Sequence, residues 1–307
     1  MSTGRAEMRV LFAADGWDHW APAIRAACPE AELLQSAPDD SVDAIIYAPN
    51  GPGCDFAAYP SARLVQSLWA GVERIAPDPS LTQPLARMVD PGLEQGMREY
   101  CAGWVLRLHL GMDSYAQDGI WRNAVVPPLA QQRRVTVLGA GALGQAVALA
   151  LKDLGFDVVS WSASGRGAPG VPALAGRDLP QALARAEILL LLLPDTAETR
   201  GLLNAETMAL LPQGAAIINP GRGTLIEDTA LLAALDRGHI SQAILDVFQT
   251  EPLPPEHPFW SHPGVVVTPH IASETRVETA ATVVAENLRR VMRDQPPLHL
   301  VDRAKGY

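Results

Sequence analysis

The chain has 307 residues, 48% of them apolar and 19% charged, enough apolar material for a sizeable core, so general disorder is excluded. At about 150 residues per domain, this length favours two domains. Lys plus Arg number 24 against 34 Asp plus Glu, and the net charge of −10 argues against nucleic acid or an anionic membrane as the main partner. The three cysteines, Cys28, Cys54 and Cys101, match no metal-ligand spacing, and an odd count disfavours a disulfide framework. They read as reduced thiols packed as small apolar groups. The first apolar run, 10–14, is short for a secretory leader, and the longest aliphatic run, 188–193, falls far below the ~20 residues that span a bilayer. A cytoplasmic protein is expected.

Taken in chain order, residues 9–13 read as a first strand and 44–47 as another, closed by Pro49-Asn50-Gly51-Pro52-Gly53. Residues 64–75 are mixed, with Gly71 marking a turn close to backbone or ligand. This alternation suggests a small α/β unit. Residues 94–117 lack proline, and their centre is apolar nearly all round, from Tyr100 and Cys101 through Trp104, Val105 and Leu106 to Leu110. Such a helix is either a core helix or one that joins two domains and packs on a second subunit. Residues 125–128 end a linker. Strands are then expected at 134–138, 157–161, 188–193, 215–219, 243–246 and 265–268, with a helix over 144–154. The run 188–193 has no polar alternation, so both its faces are buried, as in a parallel doubly wound sheet. A last helix, 278–292, carries Val284, Leu288, Val291 and Met292 at helical spacing; its return to the first domain would make that domain discontinuous.

Gly139-Ala140-Gly141-Ala142-Leu143-Gly144 follows a strand and opens a helix, the context that makes this string a dinucleotide-binding fingerprint. The first glycine permits the tight turn. The second lets the backbone approach a pyrophosphate at a helix N-terminus, and the third lets helix and strand pack closely. The acid that would bind the ribose of NAD is expected at Trp161 or Ser162, and neither is acidic; Asp157 lies at the wrong end of its strand. Ser162-Ala163-Ser164-Gly165-Arg166 instead offers hydroxyls and a guanidinium suited to a 2′-phosphate. NADP is therefore favoured, with NAD the alternative; the plain counter-reading is a solvated loop whose Arg166 touches nothing.

Three polar segments, 219–223, 246–252 and 268–273, follow later strands. Ligands of open α/β sheets bind beyond the carboxyl ends of the strands, so these segments are expected to converge with the glycine loop. Hydride transfer to a 2-oxo acid needs a cation for the carboxylate and the developing alkoxide, an acid for that oxygen, and a partner that keeps the acid protonated. Arg222, His270 and Glu251 meet these needs in that order. Taken singly they are a surface ion-pair arginine, a structural histidine and a helix-start carboxylate beside Pro252; together, on three consecutive strand ends, they favour a site. His19, His109, His239, His257, His262 and His299 show no metal spacing, so no metal is expected. Nucleophile-elbow, H-E-x-x-H and P-loop strings are absent.

With Gly139 to Gly144, the segment Leu193-Pro194-Asp195-Thr196-Ala197-Glu198-Thr199-Arg200-Gly201, residues 219–223, 245–252 and 268–273, the sequence resembles the D-isomer-specific 2-hydroxyacid dehydrogenase family. Within it, Trp161-Ser162-Ala163-Ser164, Glu251-Pro252-Leu253-Pro254 and the tail 301–307 look most like the bacterial glyoxylate/hydroxypyruvate reductase A group. The resemblance runs across most of the chain and is weakest before about residue 60. It implies an α/β protein of two Rossmann-like domains: a doubly wound cofactor domain, 101–282, and a smaller, flavodoxin-like, discontinuous substrate domain, 1–100 plus 283–307. It also implies that Arg222 binds substrate carboxylate and carbonyl, that His270 donates the proton and that Glu251 is its partner. Gly139, Gly141, Ala142, Leu143, Gly144, Ser162, Ser164, Arg166, Pro194, Thr199, Pro220, Gly221 and Asp246 are the implied cofactor residues. The segment Leu68-Trp69-Ala70-Gly71-Val72 would present N–H groups to the substrate carboxylate, with Tyr47, Trp69, Ala70, Gly71 and Arg222 lining the substrate. The chain departs from the group at Trp69, where a small residue is expected, and at Ala163, where the group carries a basic residue and Arg166 is the substitute. The implied protein is a homodimer built through the interdomain helix that reduces glyoxylate, hydroxypyruvate or a similar small 2-oxo acid with NADPH. The alternatives are the same chemistry on a larger 2-oxo acid and a nucleotide-sensing binding protein like the family's corepressors.

Overall fold

Short runs of valine, isoleucine, leucine and alanine pair into two parallel sheets, one of five strands and one of seven, in a computed structural model that describes residues 8–38, 41–115, 119–121, 126–304 and 306. The chain forms two compact units, Met1–Leu93 with Thr275–Tyr307, and Glu94–Glu274. In the split unit, β1 (Met8–Ala13), β2 (Ala31–Leu34), β3 (Ala44–Tyr47), β4 (Val65–Ser67) and β5 (Leu85–Ala86) are ordered β2-β1-β3-β4-β5. Val10, Ile45, Ile46 and Val65 are wholly buried, as parallel strands covered on both faces require. Helix α1 (Trp17–Ala27) has no counterpart in the sequence-based reading; Pro22 inside it breaks the helical signal, and its buried residues Trp20, Ala21 and Ile24 hold it to the sheet.

The C-terminal helix, Val277–Met292, packs beside α1 and belongs wholly to this unit. Its buried Asn287 donates to Gln66 Oε1 at 2.7 Å and accepts from Leu298 N–H at 2.7 Å, which ties the helix to β4 and to the chain that follows. Arg63 donates to Asp294 and to the carbonyl of Val291. The two joins between units therefore fall at 93/94 and 274/275, earlier than the 100/101 and 282/283 of the sequence-based expectation.

Helix α2 (Pro91–Leu110) stops at Gly111, which adopts φ 61°, so it is shorter than the expected 94–117; Gln117 lies outside the described residues, as do Val125, Lys305 and Tyr307. Met97, Cys101, Val105 and His109, four residues apart, form its buried stripe. They pack with Val135, Val137, Leu151 and Phe156 of the second unit, while Gly103 and Arg107 face solvent.

In the second unit β6 (Arg134–Leu138), α3 (Ala142–Asp153), β7 (Asp157–Trp161), β8 (Ala173–Leu174), α4 (Leu179–Ala184) and β9 (Ile188–Leu191) are followed by α5 (Ala205–Met208), β10 (Ala215–Asn219), α6 (Asp228–Asp236), β11 (Ile240–Leu245) and β12 (Val265–Val267). The order β12-β11-β10-β9-β6-β7-β8 reverses direction between β6 and β9, where a doubly wound sheet opens its crevice. Every pair is parallel, so all carboxyl ends lie on one edge. Ile188 to Leu191 are buried throughout, in keeping with their unbroken apolar pattern. The strand ends there rather than at the expected 193; Leu192 N–H still donates to Leu138 O, and the Leu192 carbonyl then lies against Gly139 of the glycine loop.

Candidate active site

The glycine loop leaves β6 at the reversal point. Gly139 adopts φ 115°, and a Cβ there would lie 2.3 Å from the carbonyl oxygen of Leu192. A Cβ at Gly144 would lie 2.1 Å from the carbonyl oxygen of Gly139. Both positions therefore exclude side chains, for the turn and for helix packing. Gly141 differs: a Cβ there meets nothing within 4 Å, so its backbone faces open space at the start of α3. The first N–H groups of α3, at Ala142, Leu143 and Gly144, lie beside that space, where an anion suits the helix terminus. A pyrophosphate fits this cradle.

Beyond β7, Ser162 is buried and its hydroxyl donates to the carbonyl of Arg166 at 2.7 Å, so it closes the loop instead of facing solvent. Ser164 and Arg166 are exposed, and Ser164 Oγ accepts from Arg166 Nε at 3.2 Å. Thr199 closes another turn by donating to the carbonyl of Pro194 at 2.6 Å. Pro220 and Gly221 are buried, and Gly221 runs so close to β9 that a Cβ would lie 2.7 Å from Leu191 O.

The three polar segments meet on this edge. Asn219 takes the N–H of Gly221 on its Oδ1 and donates from Nδ2 to the carbonyl of Arg222, fixing the turn that carries the guanidinium. Gly223 lies against the next segment so tightly that a Cβ would overlap the carbonyl of Phe248. Glu251 accepts the N–H of Phe248 on Oε1 at 2.9 Å, and its Oε2 stands 2.8 Å from His270 Nδ1. His270 itself adopts φ 56°, a left-handed conformation, and its N–H donates to the carbonyl of Asp246 at 2.9 Å. Asp246 is wholly buried; its carboxylate accepts from Thr268 Oγ1, Ile271 N–H and Ala272 N–H at 2.6, 2.9 and 2.9 Å. In this structure it supports the turn that bears His270 from within.

The electrostatics follow from these contacts. The bond to Glu251 raises the His270 pKa above its ordinary 6.5, against the opposing effect of burial; the charges of Glu251 and Asp246 add to the rise and Arg222 opposes it. Burial alone would raise Glu251, but the bonds from His270 and Phe248 N–H, with the charges of His270 and Arg222, hold it below the usual carboxylate range. The two shifts work in the same sense: each group favours the charged form of the other, imidazolium against carboxylate.

Of the other predicted positions, Tyr47 ends β3 with its ring edge-on to Phe56 at 5.2 Å. Trp69 is 38% exposed. The N–H groups of Leu68 and Trp69 are already given to Tyr47 O and Ser67 Oγ. The N–H groups of Ala70, Gly71 and Val72 are given to none of the backbone or side-chain acceptors described for this segment. Two polar side chains of the site escaped the sequence-based assignment, Tyr100 and Thr268, which share a 2.8 Å hydrogen bond. Tyr100 is the only hydroxyl-bearing residue in α2, a signal that the apolar pattern around it obscured.

A nucleotide cradle at the reversal of a doubly wound sheet, beside a proton-holding imidazole, defines an oxidoreductase of the nicotinamide-nucleotide class. Comparison with known proteins gives the narrower result. The family model described as D-isomer specific 2-hydroxyacid dehydrogenase, NAD binding domain, matches residues 104–272. A D-isomer specific 2-hydroxyacid dehydrogenase from Xanthobacter autotrophicus Py2, solved with NADPH and MES, is 37% identical over 98% of this chain and 99% of its own, with a TM-score of 0.91. An NADPH-dependent glyoxylate/hydroxypyruvate reductase from Sinorhizobium meliloti, solved with NADP and sulfate, is 32% identical over 98% of this chain and 100% of its own, with a TM-score of 0.89. A probable 2-hydroxyacid dehydrogenase from Rhizobium etli CFN 42, solved with NADP, HEPES and L(+)-tartaric acid, is 27% identical over 98% and 99%, with a TM-score of 0.88. The chain belongs to the D-isomer specific 2-hydroxyacid dehydrogenase family and is an oxidoreductase.

Proposed function

We propose that this enzyme reduces a small 2-oxo acid, glyoxylate or hydroxypyruvate, to the 2-hydroxy acid with NADPH. The observation that carries the reading is the 2.8 Å contact of His270 Nδ1 with Glu251 Oε2. A carboxylate only accepts, so Nδ1 bears a hydrogen and Nε2 is the atom left to deliver a proton to the substrate. Arg222 binds the substrate carboxylate and draws charge from its carbonyl. Ala70 and Gly71 N–H groups, with Tyr47 and Trp69, are the substrate contacts assigned to the split unit. The nicotinamide, when bound, supplies hydride to C2. The substrate oxygen takes the His270 proton, so the acid gains one hydride and one proton and leaves as the alcohol.

The cradle of Gly139, Gly141, Ala142, Leu143 and Gly144 is assigned to the pyrophosphate, and Pro194, Thr199, Pro220, Gly221 and Asp246 to the nicotinamide side. Preference for NADP rests on Ser164 and Arg166, exposed at the end of β7 where no acid stands, and on the NADP-bound relatives. Ser162 acts there by shaping the loop. The reading extends to a homodimer, supported by the exposed apolar side chains that follow α2: Met112, Tyr115, Ile120, Trp121, Val126 and Leu129. Unpaired cysteines among the described residues favour a reducing, cytoplasmic setting.

The test is loss of reduced nicotinamide absorbance with NADPH and NADH in parallel, against glyoxylate, hydroxypyruvate, pyruvate and phenylpyruvate. Fast oxidation of NADPH by the first two substrates is the expected outcome. Preference for NADH refutes the assignment of the 162–166 loop, and activity on phenylpyruvate alone refutes the small-substrate assignment.

A further inference from the structure

Beneath His270 lies a chain of hydrogen bonds that the proposed reaction does not use directly. Thr268 Oγ1 stands 2.6 Å from Asp246 Oδ1 and 2.8 Å from Tyr100 Oη. A threonine hydroxyl has one hydrogen, and the shorter contact, to a carboxylate that only accepts, takes it. Tyr100 must then be the donor to Thr268. The order of donation runs from Tyr100 to Thr268 to Asp246, and burial pushes the Tyr100 phenol up, so it keeps its proton throughout the working range. Asp246 is wholly buried and also gathers the N–H groups of Ile271 and Ala272, while its own carbonyl takes the N–H of His270. One carboxyl-bearing residue thus fixes residues 268 and 270–272.

The ring of His270 is set by that turn, because the residue sits at φ 56°, where a side chain is strained unless its surroundings hold it. Tyr100 comes from α2, whose Met97, Cys101 and Val105 are buried in the same apolar cluster as Ala272 of the turn. The relay therefore connects the turn that bears His270 to a helix anchored in the core.

We infer that Tyr100 is a positioning residue for the reaction: acting through Thr268 and Asp246, it holds the turn that aims His270 at Glu251 and at the substrate. The inference rests on the proposed role of His270. The groups that face the His270 ring electrostatically are Glu251, Asp246 and Arg222, and none of them is altered by changing Tyr100.

The experiment uses the full-length enzyme with NADPH and three variants, Tyr100→Phe, Thr268→Val and the two combined. Losing one buried hydrogen bond in the relay is expected to lower kcat about 2- to 10-fold for Tyr100→Phe, with the KM for the 2-oxo acid and the affinity for NADPH within about twofold. A looser turn weakens the bond to Glu251, so the alkaline limb of the kcat profile moves to lower pH, and the NMR titration of the His270 ring moves with it. The combined variant is expected to be no slower than Thr268→Val alone, since the phenol has then lost its acceptor. Wild-type kcat in Tyr100→Phe overturns the inference. So does a fall in kcat with the His270 titration unmoved, or with thermal stability falling in proportion, because a merely structural role would do that. The role of His270 is checked separately: turnover surviving in His270→Asn defeats the proposed function, whereas the ring titration still reports whether the relay holds the turn.

Discussion

Replacing Glu251 by Gln keeps the size of the side chain and removes its charge. The Oε2 atom lies 2.8 Å from His270 Nδ1, and this bond is the main cause of the raised His270 pKa. A hydrogen bond to a charged group contributes about 1.5–3 kcal/mol, and ~1.4 kcal/mol is a factor of ten in rate, so a dry site would lose about 10- to 150-fold. The His270 side chain is 53% exposed, and water screens the pair. The lower end therefore applies, and Glu251→Gln is expected to cost about tenfold in kcat. The sign of the pH effect follows from the proton consumed in reduction. Protonated His270 is the active form, so the rate falls as pH rises through its pKa, which lies above 6.5 in the native enzyme. In the variant that midpoint returns toward 6.5 or below it, and the loss is largest on the alkaline side. Initial rates of NADPH oxidation with glyoxylate across the neutral range measure both quantities. An unchanged midpoint, or an equal loss at every pH, would refute the reasoning.

Other outcomes test the cofactor site, the core and the assembly. Gly141→Ala, with open space around it, is expected to keep its melting temperature while NADPH binding weakens by at least about tenfold, whereas Gly144→Ala is expected to unfold earlier because of the clash with Gly139 O; calorimetry and nucleotide fluorescence separate the two. Arg166→Ala should raise the KM for NADPH by about tenfold and leave that for NADH unchanged, the difference expected from a lost guanidinium–phosphate bond. His109 is buried against Phe156, and desolvation, then the charge of Arg133, lowers its pKa. A native histidine that resists protonation makes stability full above 6.5 and progressively lost as pH falls from there toward the lowered value; urea midpoints measured across that window should flatten in His109→Gln. Trp121, 90% exposed, should hold the proposed dimer, so Trp121→Glu is expected to elute as a monomer by light scattering; a dimer of unchanged mass rejects that interface.

The strands of both units were legible wherever their residues are apolar on both faces. The expected strands at 44–47, 134–138, 157–161 and 215–219 coincide with the observed ones, because parallel strands buried on both sides carry an unbroken signal that depends on no partner. The glycine loop was legible for a related reason: backbone atoms forbid a Cβ at Gly139 and Gly144, and only one residue type meets that demand. Helix α1 was not legible, since Pro22 and the alternating burial of its residues resemble a loop in a linear reading. Nor was the end of α2, which stops at Gly111 although the proline-free stretch runs on.

The candidate site divides along the same line. Arg222, Glu251 and His270 could be picked out as chemically suited groups on consecutive strand ends, because proton transfer and anion binding call for few residue types. Their pairing is a matter of distance, and the 2.8 Å contact between Glu251 and His270 spans 19 positions of sequence. Contacts that only the fold creates could not be read at all. The Ser162 hydroxyl closes its loop on the carbonyl of Arg166, and Tyr100, one hydroxyl in an apolar helix, bonds Thr268, 168 positions away. Sequence by itself determines residue chemistry and local periodicity, which are properties of neighbours along the chain. Tertiary structure alone decides which polar atoms satisfy one another, because burial obliges each to find a partner wherever packing brings one within reach.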